Sequence, residues 1–427
     1  RHIRLTVLNG HRRYRFTIPP VLSRNIHGTE TRKYSLHYFS PSNRIFTRGE
    51  QVMELNASNP SNTMDRPLIT YYSELGTVSK GTLDDEPDGF YVYSLPSQDL
   101  LYDSFDSIQE QIHSRLIDLD NLIIERLFGN QSTYYSIIHF CPIAISEGGF
   151  SPEMTFDRDS FAGYAKRFSF EEARRLIYLD DLRYLSESFG KTYDQAVGSL
   201  RMAFCALGEI EPIGNISDGV FKVSSPKSHS MMREVESFII WLNSSLDILS
   251  HLLFELDRIP NRFESFKKIR SDKSALYSKF RSKSPHSGDE GHICNDFPEA
   301  VYLEELRNEI VHNRAFENSA TCYISLENGI VKERFFLLPD SNENGSLPRW
   351  NGRCRFYSQE NKGTERHSSL YREISIRISN SLDYAIDDLS EEISEMRSSG
   401  ELKVMNPNAI EEAIESFRVA AMPATSK

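Results

Sequence analysis

Eight apolar residues, Met231, Val235, Phe238, Leu242, Leu246, Leu249, Leu253 and Leu256, advance by threes and fours through residues 230–256. A strand, with its repeat of two, cannot keep such a series on one face, whereas a helix of about 3.6 residues per turn gathers it into a single stripe. A stripe that long has to be covered by other elements, so this stretch predicts a long helix in the seam of a helical bundle. Leu370, Ile374, Ile378, Leu382, Ile386, Leu389 and Ile393 repeat the pattern. They predict a second helix of about seven turns, long enough to close the bundle.

Between and before these helices the signals are mixed. Asn9-Gly10 joins residues 3–8 and 11–18 and supplies the positive φ angles of a tight hairpin. Further strand-like segments lie at 33–39, 68–74, 89–93 and 134–145, and one helix at 105–128 is marked by Ile108, Ile112, Leu116, Leu119, Ile123 and Leu127. Ser169 and Glu172 fit a capping box that starts a helix ending near Phe189, and a second helix is predicted over 192–207 with Gly208 ending it. The segment 209–225 is turn-rich. Asn328-Gly329 predicts a hairpin between 321–326 and 330–338, and Asn408 caps a last helix over 409–420. The expected fold class is α+β, in four parts. Residues 1–151 form a β-rich α+β domain, 152–225 a helical connector, 226–400 a mainly α-helical bundle with an inserted β-hairpin, and 401–427 a C-terminal helix and tail.

A net charge of −12 argues against a protein coated for non-specific nucleic-acid binding, so any contact with a polyanion has to come from a local basic surface. The stretch 262–283 offers one, with Lys267, Lys268, Arg270, Lys273, Lys279, Arg281 and Lys283 interleaved with Phe263, Phe266, Tyr277 and Phe280. Two readings stay open: a solvated helix whose aromatics face the bundle, or a surface that guides RNA. Cys141, Cys205, Cys294, Cys322 and Cys354 are scattered without close pairs, which points to reduced thiols and a cytoplasmic location. No apolar run long enough to span a membrane and no signal-peptide pattern is expected.

The chemistry is concentrated at residues 306–312, Leu-Arg-Asn-Glu-Ile-Val-His, late in a helix predicted over 297–314 and capped by Asp296. In a helix Asn308 and His312 share a face, and Arg307 sits one step round with a side chain able to reach the same point. Arginine brings a fixed fork of donors for a phosphate, and histidine exchanges protons near neutral pH. The set is suited to cutting RNA without a metal. Two other groupings have a weaker chemical case. Phe189-Gly190-Lys191-Thr192 imitates the end of a phosphate-binding loop, but Leu185 stands where its first glycine belongs. His286, His292 and Cys294 lack the spacing of a closed zinc site and read as a loop.

Arginine, a polar residue, three positions and histidine together resemble the signature of the HEPN superfamily, helical-bundle domains found in many prokaryotic ribonuclease toxins and defence proteins. Residues 236–247, ending Ser244-Ser245-Leu246-Asp247, are similar to the Ser-x-Leu-Asp helix that precedes the motif in one branch, and the resemblance spans 228–397. It implies a metal-independent endoribonuclease with Arg307, Asn308 and His312 as catalytic residues, no cofactor, and a role as a toxin or anti-phage defence effector. It also implies a homodimer or a HEPN-like partner, because in the family two copies of the motif meet at one cleft. The alternative is a non-catalytic dimerisation or sensing module whose N-terminal domain binds a regulatory protein, a view the acidic charge favours.

Overall fold

The computed structural model describes residues 3–9, 12–18, 69–73, 76–81, 90–94 and 105–422, less 151–154, 213–217, 268, 270–272, 314–319, 359 and 403. Contacts divide the chain between Asn62 and Thr63. In the first unit β1 (Ile3–Asn9) and β2 (Arg12–Ile18) pair antiparallel, with Asn9 opposite Arg12 as the Asn-Gly turn predicts. The strand expected at 33–39 lies outside the described residues. The second unit begins with β3 (Ile69–Ser73), β4 (Gly76–Gly81) and β5 (Phe90–Ser94), an antiparallel meander.

The rest is mainly helical, with a small three-stranded antiparallel sheet. The long helices are α1 (Phe105–Phe128), α5 (Glu171–Gly208), α6 (Pro226–Leu256) and α9 (Gly363–Ser399). α5 packs along α6, and α1 packs on α9 and α5. α1, which the sequence assigns to the N-terminal α+β domain, therefore shares the core of the bundle. Every residue of the seam through α6, from Met231 to Leu256, is buried. By length and hydropathy α6 is also the one described helix that could cross a membrane, against the expectation that no run is long enough. Most of its apolar stretch is buried in the bundle, which accounts for its composition. The Ser225 hydroxyl accepts from the Ser228 amide and Pro226 follows at the first helical position, where its missing N–H costs nothing.

Three expectations are corrected. Residues 134–145 do not form a strand. Asn130 caps α2 (Gln131–Ile138) by accepting from the Thr133 amide at 2.7 Å, and α3 (Ile143–Ser146) follows. Tyr134 and Ile137, three apart, are buried together, so packing overrides the β-favouring composition. The two helices expected on either side of residue 190 are one. Gly190 lies inside α5, where a Cβ would touch His113 and Leu116 of α1 only at ordinary van der Waals distance, and the helix continues through it. The capping box expected from Ser169 and Glu172 does not form either, since α5 starts after Phe170 with no side-chain cap. Third, the turn-rich segment contains β6 (Gly219–Val223), which pairs with β7 (Cys322–Glu327), itself hydrogen-bonded to β8 (Ile330–Phe335). The hairpin read from Asn328-Gly329 is thus two strands of three. α4 (Arg158–Ala165), α7 (Tyr277–Phe280), α8 (Pro298–Asn308) and α10 (Pro407–Ala421) complete the unit, α10 being capped by Asn406 two residues before the expected Asn408.

Candidate active site at the end of α8

α8 starts from Phe297 in extended conformation with Pro298 at its first position, and Asp296 makes no cap. Ala300, Tyr302, Leu303 and Leu306 bury one face of it. After Asn308 the α-helical bonding stops and Glu309–Asn313 form a π turn, so the single helix expected over 297–314 is corrected; residues 314–319 lie outside the described residues. The change matters for the motif. A π turn bonds i to i+5 in place of i to i+4, so His312 sits in a different register from that of an α-helix continued through residue 313.

Arg307 is the centre of the arrangement. Its Nη1 donates to Asn308 Oδ1 at 3.0 Å and faces His312 Nε2 at 3.5 Å, the outer limit of a hydrogen bond. Because a guanidinium only donates, this contact requires a lone pair at His312 Nε2, with the proton on Nδ1. Arg307 and Asn308 are half-buried, and His312 is exposed. The three motif residues do converge, with the arginine as the link between the other two.

The turn is held by residues that the sequence did not single out. The buried Glu309 accepts from Asn313 Nδ2 at 2.7 Å and lies 3.4 Å from Arg355 Nε. Burial alone would raise the pKa of its carboxyl, but hydrogen bonds from Cys354 and Asn313 and the charge of Arg355 bring it below the usual range. Arg349 Nη2 pairs with Glu305 Oε2 at 2.5 Å, and Gly345 lies against the Pro298 backbone. The loop between β8 and α9 is therefore strapped along α8 at three points. From α6, Asp247 accepts from the Tyr277 amide at 3.0 Å. Its carboxyl is raised by burial and drawn back by that amide and by the charges of Arg307 and His251, and α6 packs against α8. A buried position for Glu309 could have been read from its spacing to Leu306. Nothing local points to Arg355, 46 residues away.

The stretch 262–283 is not one helix. Its described residues include a 3-10 turn (Lys273–Ala275) and the four-residue α7. Phe263, Tyr277 and Phe280 are buried, and Phe266 is 40% exposed. Lys267, Lys279 and Lys283 are exposed, while Lys268 and Arg270 lie outside the described residues. Arg281 sits over the Tyr277 ring and near Asp296 and Glu304, which neutralise much of its charge. Phe189, Gly190, Lys191 and Thr192 lie in mid-helix, with Thr192 Oγ1 donating to the Ser188 carbonyl at 2.7 Å, so no phosphate loop exists there. His286 places one ring nitrogen 2.7 Å from Asp289 and the other 2.8 Å from Asp388, and His292 Nδ1 accepts from the Cys294 amide at 3.0 Å. Among the described residues no three His, Cys, Asp or Glu side chains are grouped to hold a metal ion.

No family model, curated protein or solved structure matches the chain.

Proposed function

We propose that the protein is a HEPN-like, metal-independent endoribonuclease. The observation that carries this is the guanidinium of Arg307 set between Asn308 and His312 at the open end of α8. In the reaction the ribose 2′-hydroxyl attacks its own 3′-phosphate, and the hydroxyl proton passes to His312 Nε2 as the Arg307 guanidinium turns from that nitrogen to the phosphate. Arg307 holds the non-bridging oxygens as negative charge builds on phosphorus, and Asn308 keeps the guanidinium oriented. The 5′-oxygen leaves with a proton, and the ends are a 2′,3′-cyclic phosphate and a 5′-hydroxyl. In a homodimer the second His312, starting as an imidazolium, would supply that proton, which gives the two-fold pairing of the motif a chemical reason.

The test is cleavage of single-stranded RNA by the full chain in EDTA. Wild type cuts; His312→Ala and Arg307→Ala each lose at least about a hundred-fold in rate, the lower range for removing an acid–base group or a charge-stabilising donor. Undiminished cleavage in both variants contradicts the assignment. A dimerisation or sensing module is the second reading, supported by the −12 net charge, and it predicts self-association with no cleavage.

A further inference from the structure

Trp350 and Arg353 stand side by side at the tip of a two-residue turn. Asn351 and Gly352 between them take φ of 44° and 76°, the left-handed pair of a type I′ turn, and the amides of Trp350 and Arg353 each donate to the other's carbonyl at 2.9 Å. The indole is 60% exposed, and the exposed Arg353 guanidinium lies 5.7 Å from the ring centroid. A single exposed aromatic is ordinary on a protein surface. This one is fixed at both shoulders. Arg349 pairs with Glu305 and Arg355 with Glu309, and those two carboxylates stand two residues before and two residues after Arg307.

We infer that this turn is a stacking platform for one base of a single-stranded RNA whose phosphate is held at Arg307. An indole face accepts any base by π-stacking, and a cation beside it attracts the phosphate that follows that base. A nucleotide brings both groups at the spacing of neighbouring side chains. The hairpin geometry keeps the ring in place before the ligand arrives, so little conformational freedom is lost on binding. The inference builds on the ribonuclease reading for the position of the phosphate, while its own content is recognition of the base.

The chain has two tryptophans, Trp241 and Trp350, so in a Trp241→Phe background the indole emission reports on Trp350 alone. The full chain carrying His312→Ala is titrated in EDTA with a single-stranded oligoadenylate of about ten nucleotides, within the usual site sizes for single strands. An abasic ribose-phosphate chain of equal length is the control. The platform predicts quenching by the oligoadenylate and none by the abasic chain. Trp350→Ala, followed by the anisotropy of an end-labelled oligoadenylate because that chain has no tryptophan left, should weaken binding by about 5- to 100-fold, the range for losing one stacked base, and Trp350→Phe should restore most of it. Equal affinity in Trp350→Ala, or an equal response to the abasic chain, overturns the inference. RNA cleavage that proceeds without any dependence on Trp350 would leave the ribonuclease standing and remove the platform. Base-dependent quenching in a wild-type chain that never cuts RNA would do the reverse.

Discussion

At the scale of single residues the histidines divide by what surrounds them. His312 is exposed beside Arg307, whereas His367 is fully enclosed between the rings of Phe238 and Phe336, 5.2 and 5.4 Å away, with Nδ1 donating to the Gly363 carbonyl at 3.0 Å. Burial holds its pKa down to about 3. The unfolded chain takes that proton near pH 6.5, so between these values the unfolded state binds more protons and stability falls as pH drops. His292, buried and lowered to about 4, acts in the same sense. For His286 burial works to lower the pKa, but Asp289 and Asp388 outweigh it and the net shift is upward, so its stabilisation is full below pH 6.5 and is lost as pH rises through its folded value. The expected outcome is specific to one residue: the melting temperature of His367→Leu minus that of wild type increases as pH is lowered from 7 to 4. A difference that does not change with pH would contradict the buried neutral imidazole.

At the scale of elements the motif runs from the end of α8 into the π turn. That turn contains Glu309, and Arg355→Met leaves that carboxylate buried without its cation. The substitution should cost about 1–3 kcal/mol, the penalty of an unpaired buried group, and should lower the cleavage rate without unfolding α6. Thermal melts and single-turnover cleavage check both halves. Gly345 tests the strap from its far end. It has φ of 83°, and a Cβ there would overlap the Pro298 carbonyl. Gly345→Ala should therefore lower stability by about 2 kcal/mol or more, seen as a lower denaturant midpoint at unchanged slope. These elements also mark how far the sequence could be read. The stripes on α1, α6 and α9 were legible because apolar spacing is a local property, and the Asn328-Gly329 hairpin because its turn chemistry is local. The continuity of α5 through Gly190, the helical state of 134–138 and the pairing of β6 were not, since each is decided by what packs against it. The convergence of Arg307, Asn308 and His312 was legible as a string. The π turn into which the string runs was not, because Glu309 in that turn pairs with Arg355 in a distant loop.

At the scale of the whole molecule an acidic chain is being assigned a polyanionic substrate. A charge of −12 repels RNA at long range, but salt confines this to about 8 Å under physiological conditions. Local cations then decide whether RNA stays bound. Lys267, Lys279 and Lys283 are exposed in the stretch before α8, and their joint replacement by glutamine should flatten the salt dependence of RNA binding by about 0.7 log units per log unit of salt for each phosphate no longer neutralised. An unchanged slope would leave that stretch as scaffold, consistent with its buried Phe263, Tyr277 and Phe280. The bundle, with the loop strapped along α8, sets the Arg307 guanidinium beside the exposed His312 imidazole. The chemistry assigned to that pair leaves a particular signature on the product. The deciding measurement is the end-group composition of RNA incubated with the full chain in EDTA, alongside the His312→Ala chain and a substrate with 2′-O-methyl at every position. The ribonuclease assignment predicts 2′,3′-cyclic phosphate and 5′-hydroxyl ends from wild type on RNA, and no cleavage in either control. Ends carrying a 5′-phosphate, cleavage of the 2′-O-methyl strand, or no cleavage by wild type at all would contradict it.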